Sequence, residues 1–342
     1  MKAFISSRIT DQWLVELKKQ FSDLELYDWF ARGMLSTQEF EKRIEGCHLV
    51  VTESDTITAE MIRKAENLFA IVDFRGTVIN VDIDAANEKG VVILNTPGRN
   101  ADAVADLTIA LMIMAARNVL RGIDAFRQGL WTEKGRYWVY QNHQGYDLPG
   151  KTVGLIGLGA IGRLVTRRLS GFNVKIIGYD PFVSDEEALK MGVKKASLNE
   201  VFQKSDFLSL HLPLNSQTKN MFDEKELRMM KPNAYLINTS RAGVFQEDAL
   251  VRCLKEGWIA GAALDVFHSE PLDSTYPLLN LPNVICTPHL GGATYDVIEH
   301  QSQTGVGGLL EFLHGNIPDN IINPEAIEKS IVRYKNYARA GG

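Results

Sequence analysis

Apolar positions over the first 95 or so residues fall into short runs separated by longer stretches of helical period. The runs at 3–5, 24–27, 49–51, 69–72 and 91–94 predict strands, and the stretches around 11–20, 37–45, 58–66 and 82–89 predict helices. This β-α order implies a parallel sheet covered by helices on both faces. The turn Thr96-Pro97-Gly98-Arg99-Asn100 leads into a stretch rich in Ala, Leu, Ile and Met from 101 to about 121. It is apolar nearly all round, which predicts one long helix buried between two bodies. After an aromatic-rich segment at 131–146, a second β-α series begins, with strands expected at 152–156, 174–177, 207–210, 235–237, 262–264 and 284–286. A second long helix is expected from 294 to about 313, followed by a polar tail too short for a further domain.

The length of 342 residues suits about two domains. With 37 basic and 42 acidic residues the net charge is −5, so the chain lacks the basic footprint of a nucleic-acid binder. Cys47, Cys253 and Cys286 are far apart and form no C-x-x-C pair, which predicts free thiols and no thiolate metal site. Neither a leader-like N-terminus nor an apolar run of membrane-spanning length is found, the longest run being 107–116. The expectation is a soluble cytoplasmic protein whose partners are small molecules and other copies of itself.

The run Gly157-Leu158-Gly159-Ala160-Ile161-Gly162 is G-x-G-x-x-G, a weak signal alone. Here it follows a predicted strand, opens a predicted helix, and is followed by a strand ending in Asp180, which makes it a dinucleotide fingerprint. Gly157 permits the tight turn, Gly159 leaves room for a pyrophosphate, and Gly162 lets helix and strand pack closely. The helix start, with Ala160 and Ile161, presents free N–H groups to phosphate. Asp180 suits the ribose hydroxyls and repels a 2′-phosphate, so NAD is expected over NADP.

Three later segments place reactive side chains directly after predicted strands: Asn238-Thr239-Ser240-Arg241-Ala242-Gly243, Asp265-Val266-Phe267-His268-Ser269-Glu270-Pro271, and Thr287-Pro288-His289-Leu290-Gly291-Gly292-Ala293-Thr294. Singly, each has an ordinary reading as a surface charge, a turn or a satisfied polar group. Together and in this order the chain resembles the D-isomer-specific 2-hydroxyacid dehydrogenases, over roughly residues 45–320. The resemblance implies two doubly wound parallel-sheet α/β domains. A flavodoxin-like substrate domain of 1–100 and 290–342 is interrupted by a Rossmann NAD-binding domain of 101–289. It also implies a homodimer and an active site in an interdomain cleft. By motif, His289 is the acid/base, Glu270 fixes its ring and favours the protonated form, and Arg241 binds the substrate carboxylate and polarises its carbonyl. Asp265 would orient the nicotinamide. His211, Pro213 and Thr218 would border the adenosine, and Thr239 and Gly291 complete the cofactor contacts. His48, His143, His268, His300 and His314 lack motif context and read as surface or packing residues.

Two departures bear on substrate. Relatives that use 3-phosphoglycerate carry V-R-S-x-T after the third strand, whereas this chain reads Val51-Thr52-Glu53-Ser54-Asp55, which serves a phosphate poorly. The carboxylate loop reads Arg75-Gly76-Thr77, adding beside the Gly76 and Thr77 amides a cation that would rescue phosphate binding or meet a second carboxylate or a polyol. With its N-T-P-G-R-N-A-D-A-V-A-D stretch at 95–106 the chain resembles a phosphoglycerate-dehydrogenase-like branch of the family. Glu53, Asp55 and Asn100 suit hydroxyl groups, which suggests a sugar-derived hydroxy acid, with glyoxylate and hydroxypyruvate as simpler substrates. The aromatic segment 131–146 is expected to meet a partner subunit, and a serine-binding regulatory domain is not expected. A second function on the same fold is an NAD(H)-sensing, corepressor-like binding protein.

Overall fold

The computed structural model describes residues 1–340, which form two compact units, 1–99 with 294–340, and 100–293. The first begins β1 (Lys2–Ile5), α1 (Asp11–Gln20), β2 (Asp23–Leu26), α2 (Trp29–Arg32), α3 (Thr37–Ile44), β3 (Leu49–Thr52), α4 (Ala59–Lys64), β4 (Ala70–Asp73), α5 (Ile83–Lys89) and β5 (Val92–Leu94). Its sheet is parallel throughout, in the order β2-β1-β3-β4-β5, the flavodoxin-like arrangement. Strands β3, β4 and β5 are wholly buried because both faces are covered, as their unbroken apolar runs require. Helix starts follow local chemistry: Ser36 and Glu39 form a reciprocal capping box at α3, and Asp82 caps α5 through the Ala85 amide.

The second unit runs α6 (Ala101–Ala116), α7 (Val119–Arg127), α8 (Leu130–Lys134), α9 (Trp138–Asn142), β6 (Thr152–Ile156), α10 (Ala160–Leu169), β7 (Lys175–Tyr179), α11 (Asp185–Lys190), β8 (Lys194–Lys195) and α12 (Leu198–Lys204). It continues with β9 (Phe207–Leu210), α13 (Glu224–Met229), β10 (Tyr235–Asn238), α14 (Glu247–Glu256), β11 (Gly261–Leu264) and β12 (Val284–Cys286). Seven parallel strands lie in the order β12-β11-β10-β9-β6-β7-β8. The chain reverses direction across the sheet between β6 and β9, the switch point at which open α/β sheets bind ligands. Helix α6 packs on α10 and on this sheet, burying Leu111 and Met112 at about 2 kcal/mol each.

The last two helices, α15 (Tyr295–Leu313) and α16 (Ile327–Ala340), return to the first unit. The polar tail expected after residue 313 is instead structured: Ile327, Ile331, Tyr334 and Tyr337 of α16 pack on the core beside Phe69. Before it, Ile321 bridges Leu94, and Asn323 bonds the Ile93 amide (2.7 Å) and the Val91 carbonyl (2.9 Å), covering the sheet edge at β5. The single helix expected from 101 to 121 is also corrected. It stops at Ala116 and resumes at Val119 after a 65° bend, because Asn118 takes a left-handed φ of 51°, which asparagine tolerates. Among the described residues no single helix is long and apolar enough to cross a membrane.

Candidate active site

The glycine turn is built by close packing. Gly157 takes a φ of +96°, and a Cβ there would lie 2.5 Å from the His211 carbonyl oxygen. A Cβ on Gly162 would lie 2.2 Å from the Gly157 carbonyl oxygen. Gly159 differs, since nothing lies within 4 Å of where its side chain would be. Helix α10 therefore starts at Ala160 beside open space, without a side-chain cap on its first N–H groups, and with Ile161 half-buried. Asp180 is held beside this turn by two backbone amides, Leu158 N to Oδ2 and Phe182 N to Oδ1, both at 2.8 Å.

His211 lies beneath the turn, its Nε2 3.1 Å from Ser209 Oγ and its Nδ1 buried without a partner. Burial lowers its pKa to about 4, so the ring is neutral. Pro213 and Thr218 close the next loop on themselves: the Thr218 hydroxyl donates to the Pro213 carbonyl (2.6 Å) and accepts from the Asn215 amide (2.9 Å). Thr239 is buried and shares a hydrogen bond with the Thr108 hydroxyl (2.8 Å).

His289 and Glu270 come from different strand-end loops and meet at 2.6 Å, Nδ1 to Oε2. Glu270 is held in turn by the Phe267 amide, which donates to Oε1 at 2.8 Å. With Nδ1 engaged, the free Nε2 is the ring's working atom. The histidine sits at a left-handed φ of 53° with its amide bonded to the Thr287 carbonyl (2.9 Å), a strained turn for a residue with a Cβ.

That turn is fixed by Asp265, which is 1 % exposed. Its Oδ1 accepts from the Thr287 hydroxyl (2.6 Å) and the Leu290 amide (2.7 Å), and its Oδ2 accepts from the Gly291 amide (2.8 Å). A side chain on Gly291 would press on Asp265 at 3.1 Å and on Val104 at 3.2 Å, so glycine permits the approach. The motifs singled out Asp265 and Gly291 for the cofactor, while their role in clamping the histidine loop was missed. Only the folded juxtaposition of the β11 and β12 loops shows it.

Arg241 is exposed, its Nη1 donating to the Ser240 carbonyl at 2.7 Å. Asn238 shapes its turn by accepting from the Ser240 amide and hydroxyl (3.0 and 2.9 Å) and donating to the Arg241 carbonyl (3.0 Å). Behind the His289–Glu270 pair, Phe267, Leu272, Leu279, Cys286 and the two prolines 271 and 288 line an apolar cavity of about 490 Å³. Asn100 precedes α6, its amide 3.4 Å from where a Cβ on Gly292 would lie.

In the first unit the loop after β4 exposes Gly76 and Thr77, whose amides donate to no acceptor among the described residues. Arg75 donates from Nη1 to the Glu53 carbonyl at 3.2 Å. Glu53 and Asp55, expected to meet substrate hydroxyls, are instead engaged within the protein. Glu53 pairs with Arg99 (2.5 Å) and accepts from Ser7 (2.9 Å), and Asp55 accepts from Ser6 (2.5 Å) and Thr52 (3.0 Å).

The sequence model of the "D-isomer specific 2-hydroxyacid dehydrogenase, NAD binding domain" matches residues 109–291. The chain belongs to the D-isomer-specific 2-hydroxyacid dehydrogenase family. It is 39% identical over 333 residues to a glyoxylate reductase of Thermococcus litoralis, covering 96% of this chain and 98% of that one. It is 37% identical over 309 residues to a D-3-phosphoglycerate dehydrogenase of Methanocaldococcus jannaschii, covering 90% of this chain and 57% of that one. Among solved structures, the NAD-complexed D-isomer specific 2-hydroxyacid dehydrogenase of Lactobacillus delbrueckii superposes with a TM-score of 0.78 at 25% identity, covering 94% of this chain and all of that one.

This dehydrogenase is an NAD-dependent enzyme that interconverts hydroxy and keto acids, and the corepressor-like alternative is not favoured. The residues present fit the cofactor: the open space at Gly159, the uncapped start of α10 and the fixed Asp180 carboxylate are what a pyrophosphate and a ribose diol require. Gly159→Val is therefore expected to leave the melting temperature unchanged and weaken NADH binding by at least about tenfold. Gly157→Ala is expected to destabilise the fold by about 1–3 kcal/mol through its left-handed backbone and the His211 clash. Thermal melts and calorimetric NADH titrations of the two variants separate these effects.

Proposed function

We propose that the enzyme reduces short, unphosphorylated 2-keto acids such as glyoxylate and hydroxypyruvate to the corresponding 2-hydroxy acids, of D configuration where C2 is a stereocentre. The observation that carries this reading is the His289–Glu270 pair at 2.6 Å, held on a loop clamped by Asp265. When bound, the nicotinamide supplies the hydride in the reductive direction. His289 Nε2 gives a proton to the developing alkoxide, while Glu270 keeps Nδ1 protonated and the ring aligned. Arg241 contacts the keto oxygen and carboxylate, drawing electron density from the carbon to be reduced. The Gly76 and Thr77 amides and Arg75 form the carboxylate-holding loop of the first unit. Asn100 lines the substrate's distal side. Asp180 takes the ribose hydroxyls. Asp265 sets the nicotinamide face, and Ala160, Ile161, His211, Pro213, Thr218, Thr239 and Gly291 shape the walls of the cofactor groove.

Short acids are favoured because Thr52 spends its hydroxyl on Asp55, and both neighbouring carboxylates are already satisfied. The two cations near this point are already assigned, Arg99 to Glu53 and Arg75 to the substrate carboxylate, which leaves none for a phosphate. The exposed Phe126, Trp131, Tyr137 and Tyr140 on α7 to α9 support a homodimer, since aromatic patches of this kind are concentrated at interfaces. Three free thiols suit a reducing cytoplasm.

The test is NADH consumption with glyoxylate, hydroxypyruvate, 3-phosphohydroxypyruvate and four-carbon keto sugar acids. The expected order places the first two well above the phosphorylated compound in kcat/KM. A preference for the phosphorylated compound contradicts the reading.

A further inference from the structure

Asp73 ends β4, two residues before the loop proposed to hold the substrate carboxylate. Its register partner in β3 is Thr52, so the two side chains share the sheet face whose apolar part is Val50, Ile71 and Ile93. Thr52 caps that face by bonding Asp55, which is satisfied by two hydroxyls. Asp73 has only the Asn80 amide nearby, and that amide is given to the Asp55 carbonyl (2.9 Å). Asp73 is 0 % exposed, and neither carboxylate oxygen has a partner at hydrogen-bond geometry among the described residues. Asn80 Oδ1 and Thr96 Oγ1 are likewise buried without partners. Buried acceptors are almost always paired, so an unpaired carboxyl beside a binding loop marks a group kept for something other than stability.

The charges that face Asp73 come from three loops: Arg75 on its own, Arg99 after β5 and Glu53 after β3. Glu53 is spent on Arg99 and Ser7, and Arg99 also bonds Gln301 of α15. His300 lies one step further, its Nδ1 3.3 Å from the Arg99 carbonyl. Arg75 is the guanidinium left with a single contact, a backbone carbonyl.

We propose that Asp73 is a positioning residue for Arg75, and that its charge decides whether this arginine is offered to an anionic substrate or drawn back into the protein. The proposal rests on the assignment of Arg75–Thr77 to the substrate carboxylate. Neutral Asp73 leaves Arg75 available, whereas ionised Asp73 competes with the substrate anion for the same guanidinium. Burial pushes the Asp73 carboxyl up to about 7, against the opposing pull of Arg75 and Arg99, so the change of charge falls in the working range.

The experiment is the pH dependence of KM for glyoxylate in the wild type, Asp73→Asn and Arg75→Gln. The His289–Glu270 pair is the same in all three, so the difference between profiles isolates Asp73. The wild-type KM is expected to rise up to about tenfold more than that of Asp73→Asn between about pH 6 and about pH 8. Arg75→Gln is expected to raise KM at low pH and to lose the extra rise. If Asp73→Asn keeps the wild-type profile while Arg75→Gln raises KM, the role of Asp73 is overturned and the carboxylate loop stands. If Arg75→Gln leaves KM unchanged throughout, the loop assignment itself fails.

Melting curves give a second check. The folded pKa of Asp73 is raised, so its contribution to stability is full below the unfolded value near 4 and is lost as pH rises through about 7. Asp73→Asn is expected to gain melting temperature relative to wild type across that window, and a gap independent of pH overturns the proposal.

Discussion

His289→Ala is expected to lower kcat/KM for keto-acid reduction by about 10²–10⁴-fold, the usual contribution of a positioned general acid. The variant should fold and bind NADH as the wild type does. The side chain is exposed, and its one hydrogen bond is to Glu270, which stays anchored by the Phe267 amide. The loop is held by Asp265 through Thr287, Leu290 and Gly291, none of which needs the imidazole. Alanine keeps the same Cβ at this φ of 53°, so trimming the imidazole adds no new clash. Glu270→Gln should cost less, because an amide still accepts from Nδ1 but no longer balances the imidazolium charge. Steady-state kinetics over a range of pH, with NADH binding measured by fluorescence, check both expectations. Equal losses of binding and turnover would contradict the assignment.

Arg241→Gln is expected to cost about 10³-fold in kcat/KM, and Arg241→Lys about 10²-fold. A guanidinium can engage the keto oxygen and the carboxylate at once through its planar fork, whereas an ammonium offers a point charge. Among the described residues its side chain hydrogen-bonds only the carbonyl of its neighbour Ser240, so neither variant should change the melting temperature. The Arg241→Lys loss should appear mainly in kcat, since the lysine still attracts an anion but polarises the carbonyl poorly. Recovery of Arg241→Gln turnover by added guanidinium would support the same role, and a wild-type kcat in Arg241→Gln would remove it.

Much of this site was legible from motifs, because the glycine run, Asp180, Arg241, Glu270 and His289 each follow an apolar strand run that places them on the ligand-facing edge of a sheet. What was not legible depended on closure between distant segments. Asp265 clamps residues more than twenty positions away, and Asp55 is satisfied by Ser6 across the β1–β3 pairing. The break at Asn118 was hidden because the apolar pattern runs through it, while a single left-handed residue decides the bend. The helix α16 did carry a signal: Ile327, Ile331 and Tyr334 recur at helical spacing within an otherwise polar tail. Asp73 carried one too, as a carboxylate inside the apolar stretch Ile71-Val72-Asp73-Phe74.

The central claim is hydride transfer to the C2 carbon of a 2-keto acid, and the most direct measurement is the fate of a label. Enzyme, hydroxypyruvate and NADH deuterated at the transferable C4 position are incubated, and the product is examined by NMR and chiral chromatography. The account predicts one deuterium on C2 of D-glycerate in each product molecule, with label transfer collapsing in His289→Ala. Product carrying solvent hydrogen at C2, product of the L configuration, or undiminished transfer in the variant would contradict it.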